Sequence, residues 1–342
     1  MSSLSGSSTV LVTGSSGHLG KALMLTLSEY GYHPIGIDIK PSPTTTLVGS
    51  ITDDAFVAGI FEEYEIEHVI HAATLHKPHV GSHSKMDFVQ TNMVGTLNLL
   101  EAASVEKVKS FVYISTTSAF GSALKTRKGE PAAWINEDVV HRTPKNIYGS
   151  TKTAAEDLCV LFHQEHGLKT AILRTSRFFP EEDDDDQRRE DTPDDENLKV
   201  VELAYRRVDI ADVVSACVCA VRVPKERIKQ KGRMYVVSAP TCFERREEVL
   251  KGLDEDAEGE YERAMPGARE VFEKKGWVWP DRVDRVYDSN SAVEELGWKA
   301  EYTFGNAIKR LREGREWRSE LTFRVGRLGY HEVSTGVYTK RD

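Results

Sequence analysis

Cysteine is scarce: four residues (Cys159, Cys217, Cys219, Cys242) in 342, with no CxxC spacing. That excludes a CxxC redox or metal pair and fits small buried hydrophobes in a reduced cytosolic protein, so the cytoplasm is the expected compartment. No apolar stretch approaches the ~20 residues of a membrane span, and no membrane partner is expected. Met1 to Ser8 has neither a charged n-region nor an apolar h-region, so it does not read as a signal peptide. A positive balance is also missing. The net charge of −9 and pI near 5.7 argue against a nucleic-acid partner or an anionic membrane surface. No internal repeat is visible. The length suffices for one large α/β domain and a smaller lobe.

Short apolar runs alternate with helix-period segments as far as about residue 175. Strands are predicted near 9–13, 34–38, 67–71, 110–115 and 169–173, and helices near 18–30, 87–104 and 148–166. The alternation implies an α/β protein with a doubly wound parallel sheet, Rossmann-type, and a ligand site at the carboxyl ends of the strands. Val208–Val221 and Arg233–Val237 are expected to return to the sheet as a helix and a strand. The domain reading is 8–180 plus 206–238 for the Rossmann domain, with 181–205 and 239–342 as a smaller C-terminal substrate lobe. Asp288-Ser289-Asn290 reads as the N-cap of a helix ending near Leu296. Eleven acids fall between Glu181 and Glu196, which predicts a solvated, mobile flap that repels polyanions. A calcium loop would space its ligands around a glycine turn, and none is there.

Three local features carry chemistry. Gly14, Gly17 and Gly20 follow the apolar run Val10-Leu11-Val12 and open a periodic segment, which reads as strand, tight turn and helix. Gly14 serves the turn, Gly17 the approach of backbone to a pyrophosphate, and Gly20 close packing of helix on strand. Asp38 ends the next strand, 18 residues beyond Gly20. A carboxylate there accepts both ribose hydroxyls of NAD and repels the 2′-phosphate of NADP; Lys40 leaves NADP open. Tyr148 and Lys152 stand four apart, on one face of a helix. A lysine beside the phenol is expected to lower its pKa and make Tyr148 a general acid/base.

Further segments occur in order: Gly49-Ser50-Ile51-Thr52-Asp53, Val69-Ile70-His71-Ala72-Ala73, Asn92 to Leu100, Phe111 to Thr116, Arg207 to Val213 and Glu294 to Trp298. With these motifs, from Val10 to about Phe304, the chain resembles the extended short-chain dehydrogenases/reductases of the NAD-dependent epimerase/dehydratase kind. The resemblance implies NAD as cofactor, held by Gly14, Ser16, Gly17, His18, Leu19, Gly20, Asp38, Ser50, Ile51, Ala72, Ala73, Thr74, His76, Asn92, Ile114, Tyr148, Lys152 and Thr175. It implies Thr116 as the catalytic hydroxyl beside Tyr148 and Lys152, and Thr116, Thr117 and Arg177 on the substrate side. Lys152 would also grip the nicotinamide ribose.

Departures from the family pattern narrow the reaction. Thr117 and Ser118 stand where sugar-nucleotide dehydratases carry Asp-Glu, so dehydration is not expected. Ser50 replaces an Asp that touches adenine. Arg177 replaces an Asn that contacts a substrate diphosphate, and can either clamp an anion or pair with the acidic run. His76 falls where galactose epimerases have a lysine near the cofactor. With His79 and His83 it has metal-like spacing, but Pro78 separates them and no cysteine is near, so no metal is expected.

The implied activity is NAD-dependent hydride transfer at a secondary alcohol of a sugar or sugar-like small molecule, epimerase-type. A simple dehydrogenase or ketone reductase on a non-nucleotide substrate is the alternative. A non-catalytic NAD sensor would lack YxxxK, which is present. A homodimer through the 87–104 and 148–166 helices follows from resemblance alone.

Overall fold

The alternating apolar runs fold into seven parallel strands, in a computed structural model that describes residues 7–124, 126–140, 143–183, 186–227 and 234–329. These strands are β1 (Ser8–Thr13), β2 (Tyr32–Asp38), β3 (Leu47–Val48), β4 (His68–His71), β5 (Ser110–Thr116), β7 (Thr170–Thr175) and β8 (Met234–Val237). They lie in the order β3-β2-β1-β4-β5-β7-β8, so the chain reverses direction across the sheet between β1 and β4. A second, two-stranded parallel sheet joins β6 (Ala133–Ile135) to β9 (Arg285–Tyr287). Arg233, Asp184, Asp185 and most of Met1–Ser8 lie outside the described residues.

Val10, Leu11 and Val12 are all fully buried because helices cover both faces of a parallel sheet. Side chains alternate between faces. Val10, Val12, Ile70, Val112 and Leu173 pack with helix α1 (His18–Thr26) and with Val213, Val214 and Cys217 of α8 (Ile210–Arg222). Leu11, Val69, Phe111 and Ile172 pack with α2 (Asp54–Tyr64), α4 (Gly95–Val105) and α5 (Ile147–His166). Asn146 caps α5 by accepting from the Gly149 N–H at 3.0 Å, which sets Tyr148 in its first turn.

Two predicted elements differ. The single helix expected over 87–104 is three pieces: α3 (Lys85–Val89), a π-turn (Gln90–Val94) and α4. The wide turn sits where the Asn92 side chain leaves the helix to bond the chain at Leu75. The acidic run is the larger correction. It contains α6 (Asp186–Asp191) and leads into α7 (Asp195–Glu202). Glu181 and Asp183 are buried, at 5% and 2% exposure. Glu181 bonds His18 at 2.7 Å, and Asp183 accepts from Arg177 and Arg188. At Glu181 and Asp183, partners from distant and neighbouring chain therefore offset the repulsion that sequence composition implied.

The remaining helices are α9 (Glu247–Glu255), α10 (Ala257–Ala264), α11 (Ala268–Lys275), α12 (Asn290–Leu296), α13 (Phe304–Arg312) and α14 (Glu320–Val325). Of these, α12 and α14 pack on the sheet core through Ala292, Leu296, Leu321 and Val325, and the others build a lobe. Its own core gathers Leu253, Tyr261, Phe272, Phe304 and Trp317, with Phe272 and Trp279 stacked at 3.7 Å. Ser289 is the N-cap of α12, where Asp288 accepts from Asn290 N–H at 2.9 Å.

Candidate active site

A cleft of about 1990 Å³ runs between the carboxyl ends of the sheet and the lobe. At one end is the turn after β1. Gly14 has φ +72°, and a Cβ there would strike the Ala73 backbone nitrogen at 2.8 Å. At Gly20 a Cβ would meet the Gly14 carbonyl oxygen at 1.9 Å, so α1 packs against the turn only as glycine. Gly17 is the N-cap of α1, whose first amides point toward the cleft. The Thr13 hydroxyl accepts from the Ala72 and Ala73 N–H groups at 3.1 and 3.0 Å, locking the turn to the end of β4.

Asp38 ends β2, and its carboxylate accepts from Ser16 N–H at 3.1 Å and Lys40 N–H at 2.9 Å. The backbone thus fixes an acid beside the glycine turn. Ser16, His18, Leu19, Ser50, Ile51, Ala72, Ala73, Thr74, His76, Ile114 and Thr175 also line the cleft. Together these residues fit a dinucleotide: a phosphate cradle that a side chain would fill, a helix N-terminus, and an acid for ribose hydroxyls. Asn92, in the same expected set, is buried behind the residues that line the cleft, and its amide is hydrogen-bonded within the protein. It accepts from Thr74 Oγ1 (2.9 Å) and Leu75 N–H (2.8 Å) and donates to Leu75 O (2.9 Å) and Thr151 Oγ1 (3.0 Å). It supports the loop that touches the site.

Thr116, at the end of β5, and Tyr148 both line the cleft wall, and the Thr116 hydroxyl is near enough to pull the phenol pKa down. Lys152, one turn along α5, is buried and does not line the cleft. Its ammonium donates to Ile114 O at 2.7 Å and lies 4.0 Å from the Tyr113 ring centroid. The expected lowering of the Tyr148 pKa is not what the structure gives. Burial raises the phenol to about 12, against the opposing pull of the Thr116 hydroxyl. Burial likewise brings the Lys152 ammonium down to about 7, with Glu156 favouring its charged form. Desolvation outweighs proximity because the lysine is committed to a carbonyl.

Beneath these groups Glu156 accepts from Ser115 Oγ and takes a bidentate pair from Arg174, through Nε at 2.9 Å and Nη2 at 2.6 Å. Thr117 and Arg177 line the cleft. Of its two sequence readings, Arg177 takes the pairing with the acidic run, on Asp183. His76, His79 and His83 do come together, with ring centroids 4.7 and 5.0 Å apart along the sequence. Pro78 sits in the first turn of the short helix Lys77–Gly81 and so does not separate them. Phe178-Phe179-Pro180, expected from the sequence beside the nicotinamide pocket, brings Phe179 to the cleft, with its ring 5.3 Å from His18. Sequence reasoning missed Arg206 and Arg285, which also line the cleft; no motif spacing marks them, since two separate segments bring them in.

The model of the NAD dependent epimerase/dehydratase family matches residues 10–238. The chain belongs to that family. NAD is accordingly its cofactor, and the glycine turn and Asp38 are built for it. The UDP-glucose 4-epimerase of Rhizobium leguminosarum bv. trifolii is 27% identical over 173 residues, 48% of this chain and 50% of that protein. The dTDP-D-glucose 4,6-dehydratase of Dictyostelium discoideum is 27% identical over 191 residues, 50% of this chain and 44% of that protein. The chain thus matches about half the length of these curated relatives. Among solved structures, UDP-glucose 4-epimerase from Thermotoga maritima has TM-score 0.59 at 21% identity, covering 90% of this chain and 99% of that one. L-threonine dehydrogenase from Clostridium difficile has TM-score 0.63 at 18% identity, covering 90% and 97%. Family membership is shared with enzymes of different outcome, and the fold is shared more widely still.

Proposed function

We propose that this protein is an NAD-dependent enzyme that acts on a secondary alcohol of a sugar-like substrate, with epimerase-type chemistry. The observation that carries the reading is the Thr116–Tyr148 hydroxyl pair on the wall of a cleft that also holds the glycine turn and Asp38. Gly14, Gly17, Gly20 and Asp38 would hold NAD, which when bound supplies the acceptor and donor of hydride.

Tyr148 moves the proton of the reacting hydroxyl, and Thr116 orients the same oxygen through a second hydrogen bond. Tyr148 accepts that proton as the phenolate, and the neutral phenol so formed, which burial favours, returns it to the carbonyl oxygen on the reverse step. The Lys152 ammonium stabilises negative charge developing at the phenol and the substrate oxygen. An epimerase keeps the ketone and returns hydride to its other face; a dehydrogenase lets the ketone go. Thr117 and Ser118 cannot act as acid or base near neutral pH, which weighs against dehydration.

The acidic run no longer weighs against nucleotide sugars, because Glu181 and Asp183 are paired inward. Nucleotide sugars, the substrates named in its relatives, therefore stay within the proposal. We also propose a homodimer and a cytoplasmic location. Val105 on α4 and Leu161 on α5 are exposed apolar side chains at 74% and 41%, which supports pairing of these helices. All four cysteines are free, and no described helix is long and apolar enough to cross a membrane.

The test of the activity is the cofactor content of the purified protein and its turnover of sugar substrates. Retained NAD with no net reduction supports the epimerase, and net reduction of added NAD the dehydrogenase. Failure to bind NAD in any form overturns the reading.

A further inference from the structure

After α14 the chain runs along the cofactor end of the cleft, in a stretch that hydride transfer leaves unused. Leu321 and Val325 of α14 pack in the sheet core, and Lys21 of α1 donates to the Val325 carbonyl at 2.8 Å. Just before the helix, Asp209 accepts from the Ser319 N–H at 3.0 Å and from the Ser319 hydroxyl at 2.5 Å. The chain is therefore anchored as far as Val325. Gly326 follows with φ +70°, which ends the helix in a conformation that a side chain would strain.

Beyond Gly326 the segment has an outer and an inner face. Arg327 points outward, its side chain 55% exposed, 3.8 Å from Glu182 and 3.5 Å from Asp195. Leu328 packs against the sheet core, and with Gly329 it lines the cleft. A single oxygen clasps both residues. Glu181 Oε1 accepts from the Leu328 N–H at 3.0 Å and the Gly329 N–H at 3.2 Å, and it bonds His18 Nε2 at 2.7 Å. His18 opens α1 directly after Gly17, so the clasp sits at the helix end whose amides point toward the cleft. Against the cost of burial, the His18 bond holds the Glu181 carboxyl below its ordinary value, so the acceptor is charged. The exposed ion pairs of Arg327 contribute little, which leaves the Glu181 carboxylate as the main tie.

We propose that residues 326–329 gate the cofactor: a strap hinged at Gly326 and clasped by Glu181, which opens for NAD to enter or leave. This rests on NAD occupying the glycine turn, as argued above. A closed strap slows exchange in both directions, which suits a cofactor retained from one turnover to the next.

Stopped-flow association and chase of NADH, read by its fluorescence in the full-length protein, test this. A gate changes both rates by one factor and leaves their ratio, whereas a contact to bound cofactor changes release alone. Glu181→Ala is expected to speed association and release together by roughly ten- to a hundredfold, the share of a hydrogen bond to a charged acceptor. The dissociation constant should stay nearly unchanged. Glu181→Gln, which keeps an acceptor oxygen without the charge, should fall between. Leu328→Gly, which keeps the amide and removes the inward side chain, should move both rates the same way. Thermal melts check folding; if Glu181→Ala does not fold, Glu181→Gln and Leu328→Gly decide. The gate is overturned if folded variants keep both wild-type rates, or if release alone accelerates. A wild type that never binds NADH would show separately that the NAD reading itself fails, and the gate with it.

Discussion

Tyr148 and Lys152 are ordinary residues given unusual states by burial. The phenol is pushed up to about 12 and so stays neutral near pH 7, while the ammonium comes down to about 7 and is divided between its two forms there. Replacing the Tyr148 hydroxyl leaves the glycine turn and Asp38 untouched. Tyr148→Phe should therefore lower turnover by roughly 10²–10⁴-fold with NAD affinity nearly unchanged. Thr116→Val should cost less, since it removes an orienting bond and not the proton carrier. Steady-state kinetics with cofactor titration checks both, and a loss at Tyr148 below about tenfold would point to another proton carrier.

Asp38 makes a second prediction at this scale. Its carboxylate is already oriented by Ser16 and Lys40 N–H groups, so it would face a 2′-phosphate with like charge. NAD should bind more tightly than NADP, and Asp38→Asn should narrow the difference. Fluorescence quenching gives both constants; equal or tighter NADP binding by the wild type would mean that Lys40 sets the preference. The motif residues at this scale were legible because each needs a residue type at one spacing. The bonds of Asn92 to Thr74, Leu75 and Thr151 were not legible: an amide can bond a ligand or a loop, and only the folded chain shows which protein groups reach it.

At the scale of elements, most strands and helices were readable from period and punctuation. Val10-Leu11-Val12 has no polar position because both sheet faces are covered, and α5 runs from its Asn146 cap to Gly167 at φ +66°. The acidic run was misread. Composition describes a segment's own repulsion, whereas His18, Arg177 and Arg188 supply the compensating charge from elsewhere. Asp183 has a side chain only 1% exposed between Arg177 and Arg188. Removing its charge takes one partner from two partly buried guanidiniums, and Asp183→Asn should cost about 1–3 kcal/mol of stability. Chemical denaturation measures this. An unchanged midpoint would return the run to the status of a solvated loop.

For the whole molecule, acid sensitivity follows from two histidines inside the sheet. His68 bonds Ser110 at 2.7 Å, and burial brings it down to about 4. His71 lies between Thr13 (2.7 Å) and Thr96 (2.9 Å), and its complete burial holds it well below the usual range. Both bind a proton more readily when unfolded. Their contribution to stability is therefore full above the ordinary value of 6.5 and is lost as the pH falls below it. Between pH 6.5 and about 4 the melting temperature should drop more steeply for the wild type than for His68→Asn. Parallel slopes would remove His68 from that account.

What the sequence by itself determined is local. Gly14, Gly17, Gly20 and Asp38 follow from backbone freedom and charge at one turn, and Tyr148 and Lys152 from the pitch of one helix. Strand and helix order follows from the period of apolar residues. Only the tertiary structure decided what burial and distant partners do. It raised Tyr148, seated Lys152 on the Ile114 carbonyl, turned Asn92 inward and paired Glu181 and Asp183 with counter-charges. It also brought Leu328 to Glu181 across 147 residues of chain. Desolvation and charge pairing depend on which side chains share a volume, and spacing along the chain does not specify that.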